Sequence, residues 1–190
     1  YVEKTDSKLR RSAQTVMVEI LGFLVRAISP VLSFTSEEIW EKMPEVLKDG
    51  ESVHLSKWSE TKSEYIDDEL NAKWNKIMEL RKEVYKEIEK ARQEKVVGLS
   101  LDAKVVLSIN NKDFEFIKDI AINDLEDYFI VSKINLETEE NMVSTEIEGI
   151  SVKVSKSDGE KCERCWKYDE LGTDSKHLDV CPRCAKVLNS

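Results

Sequence analysis

The sequence predicts a mainly α-helical chain that gives way to a small α/β unit and ends in a four-cysteine metal module. Three observations carry this reading. Apolar residues recur at three- and four-residue spacing through much of the first half, the period of helices with one apolar stripe. β-Branched runs and a period of two follow between Ala103 and Val154. All four cysteines, Cys162, Cys165, Cys181 and Cys184, then fall in the last 29 residues as two Cys-x-x-Cys pairs separated by fifteen residues.

Taken in order, Leu9, Ala13, Val16, Met17, Ile20, Leu21, Leu24, Val25 and Ile28 define a first helix with one buried stripe. Pro30 bends the chain or starts a new segment. Thr35-Ser36-Glu37-Glu38 reads as a capping box that opens a short helix ending before Pro44. Residues 45–65 form an irregular connector pinned by Val53, Leu55 and Trp58. From Asp67 to Lys95, Leu70, Trp74, Ile77, Val84, Ile88 and Ala91 mark a helix of about 28 residues, roughly 42 Å long, that Gly98 terminates. Ala103–Ile109, Phe129–Leu136 and Ile147–Val154 read as strands, and Asp113–Tyr128 as a helix between the first two. Ser155–Gly159 reads as a flexible joint to the metal module. Trp40, Trp58 and Trp74 lie within apolar patterns and are expected to anchor cores.

The two cysteine pairs suit a structural zinc ion. Each Cys-x-x-Cys turn aims two thiolates at one tetrahedral centre, and two turns fill all four positions, so no position is left for water or substrate. Two disulfides or a redox pair are the competing readings. A disulfide scaffold spreads its bridges through a small domain, whereas residues 1–161 contain no cysteine. His177 lies in the fifteen-residue insert and is read as a surface loop residue, because four thiolates already saturate zinc. The module is too short to bury a self-sufficient core, and ligation supplies the missing stability, on the order of 10 kcal/mol in zinc peptides.

Composition excludes several functions. The net charge of −9 argues against sequence-blind binding of nucleic acid. The charge is uneven: residues 1–29 carry +2, 30–75 carry −6, 76–95 carry +2, 96–155 carry −7, and 156–190 are neutral. Any polyanion contact is therefore local, on the two basic helices and the metal module. The longest apolar stretch, Val16–Ile28, holds Glu19 and Arg26 and is not read as a membrane span. No signal peptide is recognisable, and reduced thiols suit a cytoplasmic location. The chain opens on Tyr1 rather than Met, as a fragment of a longer protein would. No Gly-rich phosphate loop is present, and no pair of carboxylates stands out as an acid and a base. His54 has no carboxylate partner at obvious spacing and is given no catalytic role.

Five segments resemble, in family order, the C-terminal part of bacterial isoleucyl-tRNA synthetases, which are class I aminoacyl-tRNA synthetases. They are Arg10–Val16 (RRSAQTV), Pro30–Trp40 (PVLSFTSEEIW), Ser52–Leu55 (SVHL), Glu89–Lys104 (EKARQEKVVGLSLDAK) and Gly159–Trp166 (GEKCERCW). The resemblance implies a helical, anticodon-binding bundle over residues 1–98, a small α/β junction domain over 99–156 and a zinc-binding module over 157–190. The family's ATP-handling signatures, His-Ile-Gly-His and Lys-Met-Ser-Lys-Ser, are absent, so this stretch is not expected to activate isoleucine by itself. ATP and isoleucine belong to the catalytic domain, which in the family precedes this region together with an editing domain.

The implied partner is the anticodon stem-loop of isoleucine tRNA, bound by a cytoplasmic monomer with one structural zinc ion and no membrane attachment. Unpaired anticodon bases are read by stacking and by hydrogen bonds to their edges. Arg164 and Trp166 flank Cys165, and a rigid metal turn would present both with little entropy left to lose. Trp166 would otherwise serve only to cover the small core beside the metal. Arg10 and Arg11, and with less specificity Lys82, Lys86, Lys90 and Arg92, are candidates for phosphate contacts that orient without reading sequence. Those helical charges are equally able to pair along their own helix. The alternative function is a zinc-stabilised protein-interaction module without nucleic-acid binding. A DNA-glycosylase-like finger would need a basic surface and catalytic residues that are not found.

Overall fold

A computed structural model describes residues 2–60 and 62–189. Packing divides the chain into two compact units, residues 3–66 and residues 67 onward, Val2 grouping with the second.

The first unit holds helix α1 (Lys8–Ile28) and helix α2 (Ser33–Lys42), followed by short 3-10 turns at Glu45–Leu47, Val53–Leu55 and Ser63–Tyr65. Ser7 caps α1, its side chain accepting the Arg10 N–H at 3.2 Å. The expected capping box at Thr35 is not used. α2 begins at Ser33, so Thr35 and Glu38 lie within the helix, and the neighbouring Glu37 accepts hydrogen bonds from the Ser52 hydroxyl and the Val53 N–H, at 2.8 and 3.2 Å. That carboxylate ties the connector back onto α2.

The unit's core is small: Val25, Trp40, Met43 and Val53, with Ile39 against them. Trp40 anchors it as expected, fully buried with its indole N–H donated to the Gly50 carbonyl at 3.0 Å. Trp58 does not; it is 61% exposed, with its ring edge-on to Phe23. The apolar stripe of α1 is likewise uncovered. Only Val25 is buried on this helix, because its neighbours α2 and the 53–55 turn reach no further, and Val16, Met17, Ile20 and Leu24 stand about half exposed.

The second unit is built on helix α3 (Asp68–Gln93), capped by the Asp67 carboxylate, which accepts the Leu70 N–H at 2.9 Å. The helix ends at Gln93, short of Gly98. Lys95 takes the left-handed conformation (φ 61°), and the Val96 N–H bonds the Ala91 carbonyl at 2.8 Å. Strands β1 (Ala103–Ile109), β2 (Lys133–Leu136), β3 (Val143–Ser144) and β4 (Ile150–Lys156) form one sheet in the order β2-β1-β4-β3. β1 and β2 are parallel, in register Val105 with Ile134, and β4 runs antiparallel to β1. The crossover between the parallel strands carries an eight-residue 3-10 helix (Lys112–Asp119) and helix α4 (Ile122–Phe129), where one helix was expected. Phe129 therefore ends a helix rather than starting a strand, and Ile130 makes the turn in the left-handed region (φ 54°).

One face of the sheet carries Val105, Leu107, Ile109, Ile150 and Val152 into a core shared with Leu80, Val84 and Ile88 of α3 and with Leu125 and Phe129 of α4. Because α3 shares its core with the sheet, the division of packing falls at residues 66 and 67, and the boundary expected at residue 98 lies inside the second unit. Helices dominate and strands are the minor component, with strands β5 (Glu160–Lys161) and β6 (Tyr168–Asp169) and helix α5 (Pro182–Leu188) completing the chain around the cysteines. Trp74, expected in a core, lies 38% exposed at the rim of a groove and edge-on to Tyr128 at 4.8 Å.

Candidate metal centre and nucleic-acid interface

The chain enters the metal module through a tight connection rather than a flexible joint. β4 runs to Lys156, the buried Ser157 donates its N–H to the Asp102 carbonyl at 2.7 Å, and Gly159 turns the backbone with φ +89°. At Gly159 a Cβ would sit 2.5 Å from the Asp169 carbonyl oxygen, so only glycine fits where the chain enters the β5–β6 hairpin.

β5 delivers Cys162 into the first Cys-x-x-Cys turn. The Cys162 N–H bonds the Lys167 carbonyl at 3.0 Å, and the Trp166 N–H returns to the Cys162 carbonyl at 2.9 Å. The second pair is presented differently. Cys181 is the N-cap of α5, Pro182 occupies its first turn without needing a donor, and Cys184 follows within the helix.

The four sulfurs lie within 4.8 Å of one another, with Cys162, Cys181 and Cys184 buried and Cys165 partly so. Cys165 and Cys181 are 3.7 Å apart, against about 3.8 Å for the edge of a tetrahedron with metal–sulfur bonds of about 2.3 Å. Burial raises the thiols of Cys165 and Cys181, and at Cys165 the other sulfurs add to the effect. Cys162 is also buried, but N–H groups of Cys165, Cys181 and Arg164 bring it down to about 6. Four thiolates crowded in this way need a compensating cation, and soft sulfur donors in tetrahedral array fit zinc. His177 does not belong to the cluster; its N–H closes a turn on the Asp174 carbonyl at 3.2 Å.

Around the sulfurs, the polar residues differ in what holds them. Arg164 Nη1 donates to the Val2 carbonyl at 2.6 Å and lies 3.7 Å from Cys184 Sγ, so the guanidinium is anchored on a metal ligand. Trp166 is 54% exposed and held in the left-handed region at φ 66°. Lys161 Nζ lies 5.3 Å from the centre of its ring. An L-residue with a bulky side chain pays about 1–2 kcal/mol for left-handed backbone, and glycine would fill the position without that cost. The spacing of the cysteines marks the turn, but the strain at Trp166 is visible only in the backbone.

The module is fastened to the α/β unit by contacts that sequence reading missed. Lys167 Nζ reaches Glu126 at 3.3 Å and Asp127 at 2.7 Å, Arg183 adds a longer contact to Asp127, and Lys133 pairs with Asp169 at 3.2 Å. Burial raises the Glu126 carboxyl even with the Lys167 ammonium beside it. The fully buried Ser132 hydroxyl accepts the Tyr168 N–H at 2.7 Å and donates to the Leu101 carbonyl. These partners are 31 to 56 residues apart along the chain, too far for any local pattern to reveal.

The two predicted basic helices differ from a free cationic surface. Lys86 pairs with Glu83 and Glu146, Lys90 with Glu87 and Arg92 with Glu89. Arg10 is partly buried and donates to the Glu3 carbonyl at 3.2 Å, while Arg11 is exposed. Arg10 and Arg11 lie in the first unit and Arg164 and Trp166 in the second. Among the described residues no helix is long and apolar enough to cross a membrane.

A helical N-terminal region joined to a four-sulfur finger is the combination found on comparison with known proteins. Residues 1–107 match the anticodon-binding domain of tRNA ligases, and the chain belongs to that family. Residues 159–187 match the zinc finger found in FPG and IleRS, which covers all four cysteines. Curated relatives narrow the likeness to one kind of ligase. The chain is 45% identical over 190 residues to an isoleucine–tRNA ligase of Kosmotoga olearia, with 99% of the chain and 20% of that protein covered. It is 44% identical over 193 residues to that of Caldicellulosiruptor saccharolyticus and 41% over 189 to that of Thermotoga petrophila, each with 99% of the chain and 20% of the relative covered. The chain thus spans about a fifth of the length of these relatives and aligns with their C-terminal region.

Proposed function

We propose that this chain is the part of an isoleucine–tRNA ligase that holds the anticodon stem-loop of isoleucine tRNA. The observation that carries the proposal is the exposed Trp166, kept in strained backbone beside a four-sulfur metal site in a chain of the anticodon-binding family. A ring that costs conformational energy where glycine would serve, and that covers little of the core, is suited to stacking on an unpaired base. Zinc acts as a structural ion: four sulfurs complete its shell, so it fixes the turn rather than taking part in chemistry.

Arg164, anchored through Nη1, offers its other nitrogens to the edge of a base or a phosphate, and Arg10 and Arg11 would orient the RNA through its backbone. The partner within the same polypeptide is the remainder of the ligase, which supplies the catalytic and editing domains and with them the sites for ATP and isoleucine. The uncovered apolar stripe of α1 supports that reading, because a stripe of this size is normally packed against further chain. The assembled protein acts in the cytoplasm as a monomer. Holding the anticodon end positions the distant acceptor end, so loss of this contact lowers affinity and the aminoacylation step without altering the chemistry.

The test is binding of isoleucine tRNA to the zinc-loaded protein and its Trp166→Ala variant, with metal content measured in both. Loss of one stacked base costs about 1–3 kcal/mol, a weakening of roughly five- to 150-fold. Unchanged affinity in Trp166→Ala, with zinc retained, would remove the base contact. Parental affinity in Arg164→Ala would likewise remove Arg164 from the interface.

A further inference from the structure

We infer that Lys161 is a second RNA-contacting residue of the metal module, taking a backbone phosphate of the nucleotide whose base lies on Trp166. The inference rests on the anticodon-binding reading above and deepens it.

The cations of the module divide by what already holds them. Lys167 is engaged by Glu126 and Asp127, Arg183 reaches Asp127, and Arg164 is anchored at Cys184. Lys161, Lys176 and Lys186 are exposed and form no ion pair among the described residues, and of these three it is Lys161 whose ammonium lies against the Trp166 ring, 5.3 Å from its centre.

The Lys161 backbone is held in the β5–β6 hairpin. Lys161 pairs with Tyr168 across the β5–β6 hairpin and immediately precedes Cys162, a fully buried sulfur ligand. Metal ligation therefore sets the positions of Lys161 and Trp166 together.

The arrangement has a chemical consequence. An ammonium over one face of an indole occupies that face and leaves the other for a base. A base stacked on the free face brings its own phosphodiester past the ring edge, where an unpaired cation meets it. Ring and ammonium then act on one nucleotide, the ring by stacking and the ammonium by charge, and the module needs no broad basic surface to bind RNA despite the net charge of −9.

The two contributions separate experimentally, because a phosphate contact alters salt dependence and a base contact alters discrimination. The experiment is binding of isoleucine tRNA and of a tRNA with an altered anticodon across a series of salt concentrations, by the zinc-loaded parent, Lys161→Gln, Lys161→Arg and Trp166→Ala. For Lys161→Gln the slope of log affinity against log salt falls by about 0.7 to 1, affinity at low salt drops about two- to five-fold for both tRNAs, and their ratio stays at the parental value. Lys161→Arg keeps the parental slope. A Lys161→Gln slope equal to the parent's overturns the inference, as does a fall in discrimination with no change in slope, which would make Lys161 a support for the ring only. Failure of the parent to bind either tRNA overturns the anticodon reading itself. A changed Lys161→Gln slope with full binding by Trp166→Ala would retain the phosphate contact and discard the stacked base.

Discussion

Ser132→Ala should loosen the metal module without touching a sulfur. The Ser132 side chain is 1% exposed and sits at the start of β2, where its hydroxyl accepts the Tyr168 N–H at 2.7 Å and donates to the Leu101 carbonyl. Alanine removes both bonds and leaves a partly buried donor and a partly buried acceptor, each costing up to about 1–3 kcal/mol when unpaired. The expected loss is about 2–4 kcal/mol, which in a chain of this size lowers Tm by about 5–15 °C. Thermal unfolding of the zinc-loaded protein measures the stability, and amide exchange at Tyr168 locates it. The β5–β6 hairpin should exchange faster, and a chelator should withdraw zinc sooner than from the parent. A loss below about 0.5 kcal/mol, or a Tyr168 amide as protected as before, would refute the claim that this hydroxyl fastens the two parts together.

Three further outcomes follow from the same packing. Gly159→Ala places a Cβ 2.5 Å from the Asp169 carbonyl oxygen at a backbone φ of +89°, and should cost about 2–4 kcal/mol in a denaturant titration. Glu83 is held below its ordinary 4.5: burial opposes the shift, but the Lys86 ammonium and the Glu146 N–H outweigh it. A carboxyl lowered on folding contributes stability that is present above about pH 4.5 and is lost as pH falls through the native value, so Glu83→Gln should be less stable at neutral pH and show a shallower decline in acid unfolding curves. Removing the metal should expose the amides of Cys162, Glu163 and Trp166 to exchange while those of β1 and β4 stay protected, because the cysteine cluster and the sheet have separate cores.

The elements that local pattern specifies were legible in the sequence. β1 was expected at Ala103–Ile109 and lies there, and α1 and α3 differ from expectation by one or two residues at their ends. The four cysteines converge as their spacing required. Where the reading departed from the structure, a distant partner or a backbone preference decided. Thr35 and Glu38 have the spacing of a capping box, but α2 begins at Ser33, which puts Thr35 inside the helix rather than at its cap. Gly98 looked like a helix stop, yet Lys95 takes the left-handed turn before the chain reaches it. The periodicity of α1 predicts a helix with one buried stripe; the helix is present, but of that stripe the described residues bury only Val25, because periodicity carries no information on what packs against it. Arg164 and Trp166 were singled out by adjacency to Cys165, whereas Lys161 stood equally close to a cysteine and was passed over, because its place above the ring depends on the turn's geometry.

The central claim is that the metal-held turn presents an anticodon reader. Its most direct test compares zinc-loaded and chelated protein for binding to isoleucine tRNA and to a tRNA differing only in its anticodon. The account predicts that the loaded protein prefers isoleucine tRNA by about ten-fold or more, the worth of one stacked or hydrogen-bonded base, and that chelation abolishes the preference while the sheet remains folded. Equal binding of the two tRNAs by protein with full metal content, or a preference that survives loss of zinc, would contradict it.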